Sequence, residues 1–241
     1  MLKRQILFIL LTIGILGCNT PNKKMASNDN YSDIIVIGAM KDVMWKGELN
    51  GSISIDTIAD KKGLYGLGPE SYLTGELLIN DGISYVSRVT SDSTMIVEKS
   101  YDLRAPFFVY TNVDDWLEIN LSSSIKTIKD IEKLINEKTL EFKRPLAFKL
   151  IGKVSKAIIH IQNLPRSTIV TSPTEAHEGQ TNYELNNVQV EIIGFFSTEH
   201  KGIFTHHDSY IHLHLITKDE KKMGHLDELI IDTMKLYLPK K

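Results

Sequence analysis

Three histidines near the C-terminal end of the chain have the spacing of a metal site. His212 and His214 lie two residues apart in an alternating apolar run, and His225 follows eleven residues after His214. This alternation predicts a half-buried strand on which His212 and His214 point to one face. Three neutral imidazoles suit zinc and leave a coordination position for water or substrate. The residues therefore predict a catalytic metal centre, although His-x-His pairs also occur on solvated strand faces with nothing bound.

The start of the chain has the features of a bacterial lipoprotein signal. Lys3 and Arg4 precede a short apolar run at 6–16, which is followed by Gly17 and Cys18. This order is typical of a signal peptide, and the run is too short to span a bilayer comfortably. Its end resembles the Leu-x-Gly-Cys box that is cut before a cysteine that then carries lipid. An ordinary secretory signal with an incidental cysteine is the alternative.

The predicted signal divides the chain into three segments. Residues 1–17 are expected to be removed, and the polar, aperiodic residues 18–33 are expected to form a flexible tether. Residues 34–241 remain as the folded domain, with two halves that meet near 140–150, and they are enough to bury a core. The formal net charge is -2, with both signs interspersed. Nothing in this charge pattern indicates a nucleic-acid partner.

The lipid anchor gives a direct prediction. Cys18 is the chain's single cysteine, so it has no disulfide partner. Labelled fatty acid should enter the wild-type protein and should not enter Cys18→Ala. Equal labelling of both proteins would leave only the secretory signal. Asn19 resembles the signal for onward sorting, so we expect an exported lipoprotein of the cell envelope, anchored in the outer membrane.

The remaining patterns predict a strand-rich α+β fold. Residues 73–86 predict a hairpin with an Asn-Asp-Gly turn at 80–82. Apolar residues at three- and four-residue steps predict an amphipathic helix over 122–138, capped by serines at its start. The glycine-rich residues 62–69 and the polar residues 172–187 are expected to be loops. We expect a mixed N-terminal sheet, this helix, and a mostly antiparallel β half that carries the metal site.

Several motifs follow one another in a distinctive order along residues 34–240. They are Gly66-Leu67-Gly68, Thr74-Gly75-Glu76 before Asp81-Gly82, Pro145-Leu146-Ala147-Phe148, Gly194-Phe195-Phe196, His212-Leu213-His214 and Gly224-His225. This order resembles that of the bacterial α-acetolactate decarboxylase family. The resemblance implies a zinc enzyme that removes carbon dioxide from 2-hydroxy-2-methyl-3-oxobutanoate, or 2-acetolactate, to give acetoin. It also implies that His212, His214 and His225 bind the zinc and that Glu76 is an acid or base beside it.

The chain departs from the family pattern around the expected metal. The family carries an arginine at an Arg-Thr-Val-like strand end that reaches into the active site. Gln162 stands where this arginine is expected, and Arg166 follows four residues later. Pro69 replaces a threonine, and the family's tail, which returns a second glutamate to the metal, has no counterpart after Lys241. We therefore expect reduced activity, with Gln162 or Arg166 in the place of the arginine.

The sequence leaves alternative functions open. The first hypothesis is a zinc decarboxylase that acts on a small 2-hydroxy-3-oxo acid. The second is a lipid-anchored metal- or ligand-binding homologue with little or no turnover, and the third is a metal hydrolase with Glu76 as its base. Glu76 could also be an ordinary surface residue at the start of a strand. The sequence leaves the oligomeric state open.

The other histidines receive no role at this point. His206 and His207 are adjacent on a predicted loop, and adjacent residues on a strand would point to opposite faces. We therefore expect no second metal site there. The histidines that show no pattern are His160, His177 and His200.

Overall fold

The computed structural model describes residues 33–206 and 208–240. The predicted signal peptide, Cys18 and nearly all of the predicted tether lie outside the described residues. The helices are α1 Met40–Lys46, α2 Ile128–Lys138 and α3 Pro173–Ala176. The strands are β1 Ile35–Ile37, β2 Ile53–Ser54, β3 Leu64–Pro69, β4 Glu76–Asn80, β5 Ile83–Ser91, β6 Thr94–Lys99, β7 Arg104–Ala105, β8 Phe108–Asn112, β9 Trp116–Asn120, β10 Leu146–Ile161, β11 Thr181–Phe196, β12 Ile211–Thr217 and β13 Met223–Pro239. Within the described part of the chain, no helix is long and apolar enough to cross a membrane.

The N-terminal sheet has six strands in the order β1-β8-β3-β4-β5-β6. Every pairing between these strands is antiparallel. The expected strand-rich fold is confirmed, but the expectation of a mixed sheet is wrong. The reason is that β3, β4, β5 and β6 follow one another through short connections, which join antiparallel strands.

The glycine-rich residues 62–69 were expected to form a loop, but they enter β3, a buried strand. A Cβ atom on Gly66 would lie 2.7 Å from Cε1 of Phe108, and one on Gly68 would lie 2.4 Å from the carbonyl oxygen of Phe107. The glycines therefore allow β3 and β8 to approach closely. Gly66 and Gly68 therefore lack side chains so that the two strands can pack together, and they do not form a turn.

Local sequence signals account well for the hairpin and for part of the helix. Asp81 and Gly82 have φ values of 47° and 76°, as the predicted tight turn between β4 and β5 requires. Helix α2 starts later than expected, because Thr127 and Asp130 form a reciprocal capping box. The predicted caps at serines 122–124 are therefore wrong.

The C-terminal sheet has five strands in the order β10-β11-β12-β13-β9, and β10 also pairs with β13. Strands β10 to β13 thus close into a ring of antiparallel pairs. The predicted loop at 172–187 is wrong beyond α3, because β11 begins at Thr181 and pairs with β10 from there onward. Ile131 and Ile135 of α2 join the core of this sheet. A second apolar cluster, which includes Tyr65 and Phe195, joins the two sheets.

Candidate metal centre

The register of the C-terminal sheet brings four histidines together. His214 on β12 lies opposite His225 on β13, and His225 lies opposite His160 on β10. Directly opposed residues of antiparallel strands point to the same face of a sheet. His212, two residues before His214, shares that face as well. A row of imidazoles therefore crosses three neighbouring strands.

His212, His214 and His225 form the tightest part of this row. Their ligand atoms all lie within 4.8 Å of one another. All three residues are buried, and His214 has no exposed surface. Among the described residues, Nε2 of His214 has no hydrogen-bond partner. A buried polar atom without a partner costs about 1–3 kcal/mol, and a metal would satisfy it, so this three-histidine cluster could hold a metal ion.

Burial also sets the protonation state of the cluster. It lowers the pKa of His214 to about 3. Burial likewise lowers the pKa of His212 and of His225 well below 6.5, and the neighbouring histidines act in the same direction. All three imidazoles are consequently neutral at pH 7. This is the form that binds a metal.

Glu76, at the start of β4, reaches the cluster from the N-terminal sheet. Its Oε2 lies 3.6 Å from Nε2 of His214, and its Oε1 accepts a hydrogen bond of 3.3 Å from the backbone N–H of Gln162. Glu76 is 2% exposed, so it is not the surface glutamate of the alternative reading. Burial raises the pKa of Glu76 well above its usual range, whereas a bound cation would act in the opposite direction.

Strained backbone precedes Glu76. Tyr72 and Leu73 have φ values of 61° and 52°, which cost non-glycine residues about 1–3 kcal/mol each. The Tyr72 N–H donates to the carbonyl of Leu49, and the Leu73 carbonyl accepts from the N–H of Leu164. These bonds tie the segment to two other parts of the chain. The start of β4, and with it Glu76, is therefore firmly placed.

Gln162 and Arg166, the two candidates for the place of the family arginine, have different positions. Gln162 is buried, its Nε2 donates to Oε1 of Gln180 at 3.3 Å, and its own Oε1 has no partner among the described residues. Arg166 is exposed on a turn after β10. The structure thus brings Gln162 to the site and leaves Arg166 on the surface.

Comparison with known proteins identifies the family of this chain. The family model for alpha-acetolactate decarboxylase matches residues 37–240. The chain belongs to the α-acetolactate decarboxylase family. The α-acetolactate decarboxylase of Lactococcus lactis subsp. cremoris is 28% identical over 190 residues, which are 77% of this chain and 75% of that protein. The Brevibacillus brevis enzyme is 24% identical over 216 residues, with 89% and 72% covered.

A solved structure supports the same assignment. The crystal structure of α-acetolactate decarboxylase from Bacillus subtilis strain 168 has a TM-score of 0.69 and 26% sequence identity to this chain. The match covers 86% of this chain and 85% of that one. The family resemblance drawn from the sequence is therefore confirmed, together with the predicted strand-rich fold.

In this member of the α-acetolactate decarboxylase family, five histidines line a small, partly open cavity of about 30 Å³. Its lining residues are Met40, Met44, Pro69, Leu73, Glu76, Phe107, His160, Gln162, His177, His206, His212 and His225. The sequence assigned no role to His160, His177 or His206, and the structure places all three at this cavity. His200 lies outside it, and its Nδ1 is 2.8 Å from the hydroxyl of Ser197. His207 lies outside the described residues.

Proposed function

We propose that this protein decarboxylates 2-acetolactate to acetoin and that His212, His214 and His225 hold the zinc ion required for this reaction. Membership of the α-acetolactate decarboxylase family supports the reaction. The observation that carries the proposal is the buried three-histidine cluster with the Glu76 carboxyl group 3.6 Å from His214. The expectation that Arg166 takes part is not retained, because this side chain is exposed.

The three histidine ligands favour zinc and leave one of its coordination positions free for a substrate. Three histidine nitrogens are typical of a catalytic zinc site, which keeps a coordination position open. When bound, zinc would supply positive charge to polarise substrate oxygens. Because the three ligands are neutral, they would not cancel that charge.

The chain's own residues account for the proton balance. The bond between the carboxylate carbon and C2 of 2-acetolactate breaks, carbon dioxide leaves, and the electron pair stays with the remaining fragment. That fragment needs one proton on carbon to become acetoin. Glu76 is the buried carboxyl group beside the cluster. It is therefore placed to hold this proton and to deliver it from one side.

The apolar part of the cavity has two roles in this proposal. Met40, Met44 and Phe107 line it and would shield the reacting groups from water. The free volume of about 30 Å³ exceeds the roughly 10–15 Å³ that one water needs. A five-carbon acid is larger, so it would extend out of the open side of the cavity or displace lining side chains. Methionines, with three flexible bonds, are suited to such movement.

The proposal is tested with the full chain, extracted in detergent because of the predicted lipid anchor. Racemic 2-acetolactate is supplied, and acetoin and carbon dioxide are measured alongside bound zinc. Equal amounts of both products are expected from zinc-containing protein. Zinc-containing protein that releases neither product would favour the lipid-anchored binding homologue instead.

Gln162 and Arg166 give a matched pair of variants. Gln162→Arg would add a permanent charge and forked donors for an anionic substrate, and we expect kcat to rise about 10-fold. Arg166→Ala, on the surface, should change kcat/KM by no more than about twofold. Steady-state acetoin formation, with unfolding temperature and zinc content as controls, gives the comparison. A large loss in Arg166→Ala would mean that this arginine reaches the substrate after all.

A further inference from the structure

His160 and Asp227 form a pair directly beside the proposed metal ligands. Nδ1 of His160 lies 2.9 and 2.7 Å from the two carboxylate oxygens of Asp227. The His160 ring is 6% exposed, so little water competes for this bond. Asp227 therefore fixes both the position of the ring and the nitrogen that carries the proton.

A β-bulge aims Asp227 at this histidine. On β13, Leu226 pairs with Ile159 and Glu228 pairs with Ile158, so Asp227 is the extra residue between them. An extra residue of this kind redirects its side chain, and such bulges are common next to active sites. Here the redirected carboxylate meets the ring of His160.

The ring of His160 in turn packs on the ring of His225. The two ring centroids are 4.6 Å apart, with an angle of 27° between the planes. Gly224 permits this approach, because a Cβ atom there would lie 2.5 Å from the carbonyl oxygen of His160. Oδ1 of Asp227 is also 3.9 Å from Nε2 of His225. One face of His225 and one of its nitrogens are thus next to the pair.

We propose that His160 and Asp227 are positioning residues that hold the imidazole of His225 in the orientation needed to bind metal. This inference rests on the proposed function, in which His225 is a ligand. Outer partners that fix a ligating histidine typically change metal affinity by about 10- to 100-fold. Of the three proposed ligands, His225 is the one whose ring stacks on His160.

The experiment measures zinc affinity of the full chain by competition with a coloured chelator. His160→Ala removes both the stacked ring and the bond to Asp227, and it should weaken zinc binding by about 10- to 100-fold. His160→Phe keeps an aromatic face and should lose less. His200→Ala is the matched control, because His200 lies outside the cavity, and it should keep wild-type affinity.

Two further readouts separate positioning from a general loss of structure. The absorption spectrum of the cobalt-substituted protein should shift in His160→Ala at saturating metal, while the unfolding temperature of the metal-free protein stays near that of His200→Ala. Should His160→Ala fail to fold, Asp227→Asn tests the same tether, since it keeps the side-chain shape and loses the charge. An unchanged spectrum together with unchanged affinity would overturn the proposal.

Metal stoichiometry distinguishes the remaining outcomes. One zinc per chain is expected in the wild type and in His160→Ala. His160, His225 and Asp227 also have ligand atoms close enough to hold an ion themselves. A second zinc that disappears in His160→Ala would therefore overturn the positioning role in favour of direct ligation. Wild-type protein that binds no zinc would instead contradict the metal centre as a whole.

Discussion

Replacing His214 with alanine is expected to abolish both metal binding and acetoin formation. His214 has no exposed surface, and its Nε2 has no hydrogen-bond partner among the described residues. Two of the three proposed ligands would remain. Metal charge stabilisation is worth several kcal/mol in a transition state, so we expect kcat/KM to fall by about 10³-fold or more. Metal analysis after gel filtration and an acetoin assay measure the two effects.

Packing must be separated from ligation in this variant, because alanine also leaves a hole in the core. His214→Leu fills a similar volume without a ligand atom, and it should lose metal and activity equally. His200→Ala is the control histidine, since it lies outside the cavity. Full metal occupancy in His214→Ala or His214→Leu would show that the cluster is not the metal site.

Replacing Glu76 with glutamine should lower kcat by about 10²- to 10⁴-fold, the usual contribution of a positioned acid or base. Glutamine has nearly the same shape, and its carbonyl oxygen can still accept from the Gln162 backbone N–H. It has no carboxyl proton to deliver. The measurement is the rate of acetoin formation at saturating substrate, with zinc content determined on the same sample.

The matched control is Glu191→Gln, which removes a carboxylate that accepts from Asn80 in the space between the two sheets. It should keep wild-type kcat. Zinc should remain bound in Glu76→Gln, because the three histidines are intact. Wild-type kcat in this variant would remove Glu76 from the chemistry. Loss of zinc would make Glu76 a ligand rather than a proton donor.

The parts of the site that follow from local sequence were predictable. The alternation around His212 and His214 gives a strand with both imidazoles on one face, as β12 shows, although the predicted half-buried strand is wrong because β12 is buried on both faces. The turn at Asp81-Gly82 is equally local, since both residues must adopt positive φ. The spacing after His214 indicated His225 as the third ligand, and the family motifs added Glu76, which lies far from the histidines in the chain.

The surroundings of the cluster depended on long-range pairing. His160 contacts His225 only because β10 pairs with β13. No local sequence pattern predicts which residues of these two distant strands lie opposite each other. Asp227 lies two residues after His225, and this short spacing was the one weak indication in the sequence that the two side chains are neighbours. The contact between Asp227 and His160, however, depends on the β-bulge in β13. The glycines of β3 are a second feature that local sequence could not predict. Glycine permits both turns and close packing, and only the side chain of Phe108 decides between them.

Reconstitution of the metal-free protein is the strictest test of zinc-dependent decarboxylation by this chain. The full chain is stripped of metal with a chelator, and zinc is then added stepwise while bound zinc and the rate of acetoin formation from 2-acetolactate are both recorded. Zinc-dependent decarboxylation predicts negligible activity without zinc and a rate that rises with bound zinc to a plateau at one ion per chain. Full activity in the stripped protein, or one bound zinc per chain without acetoin, would contradict it.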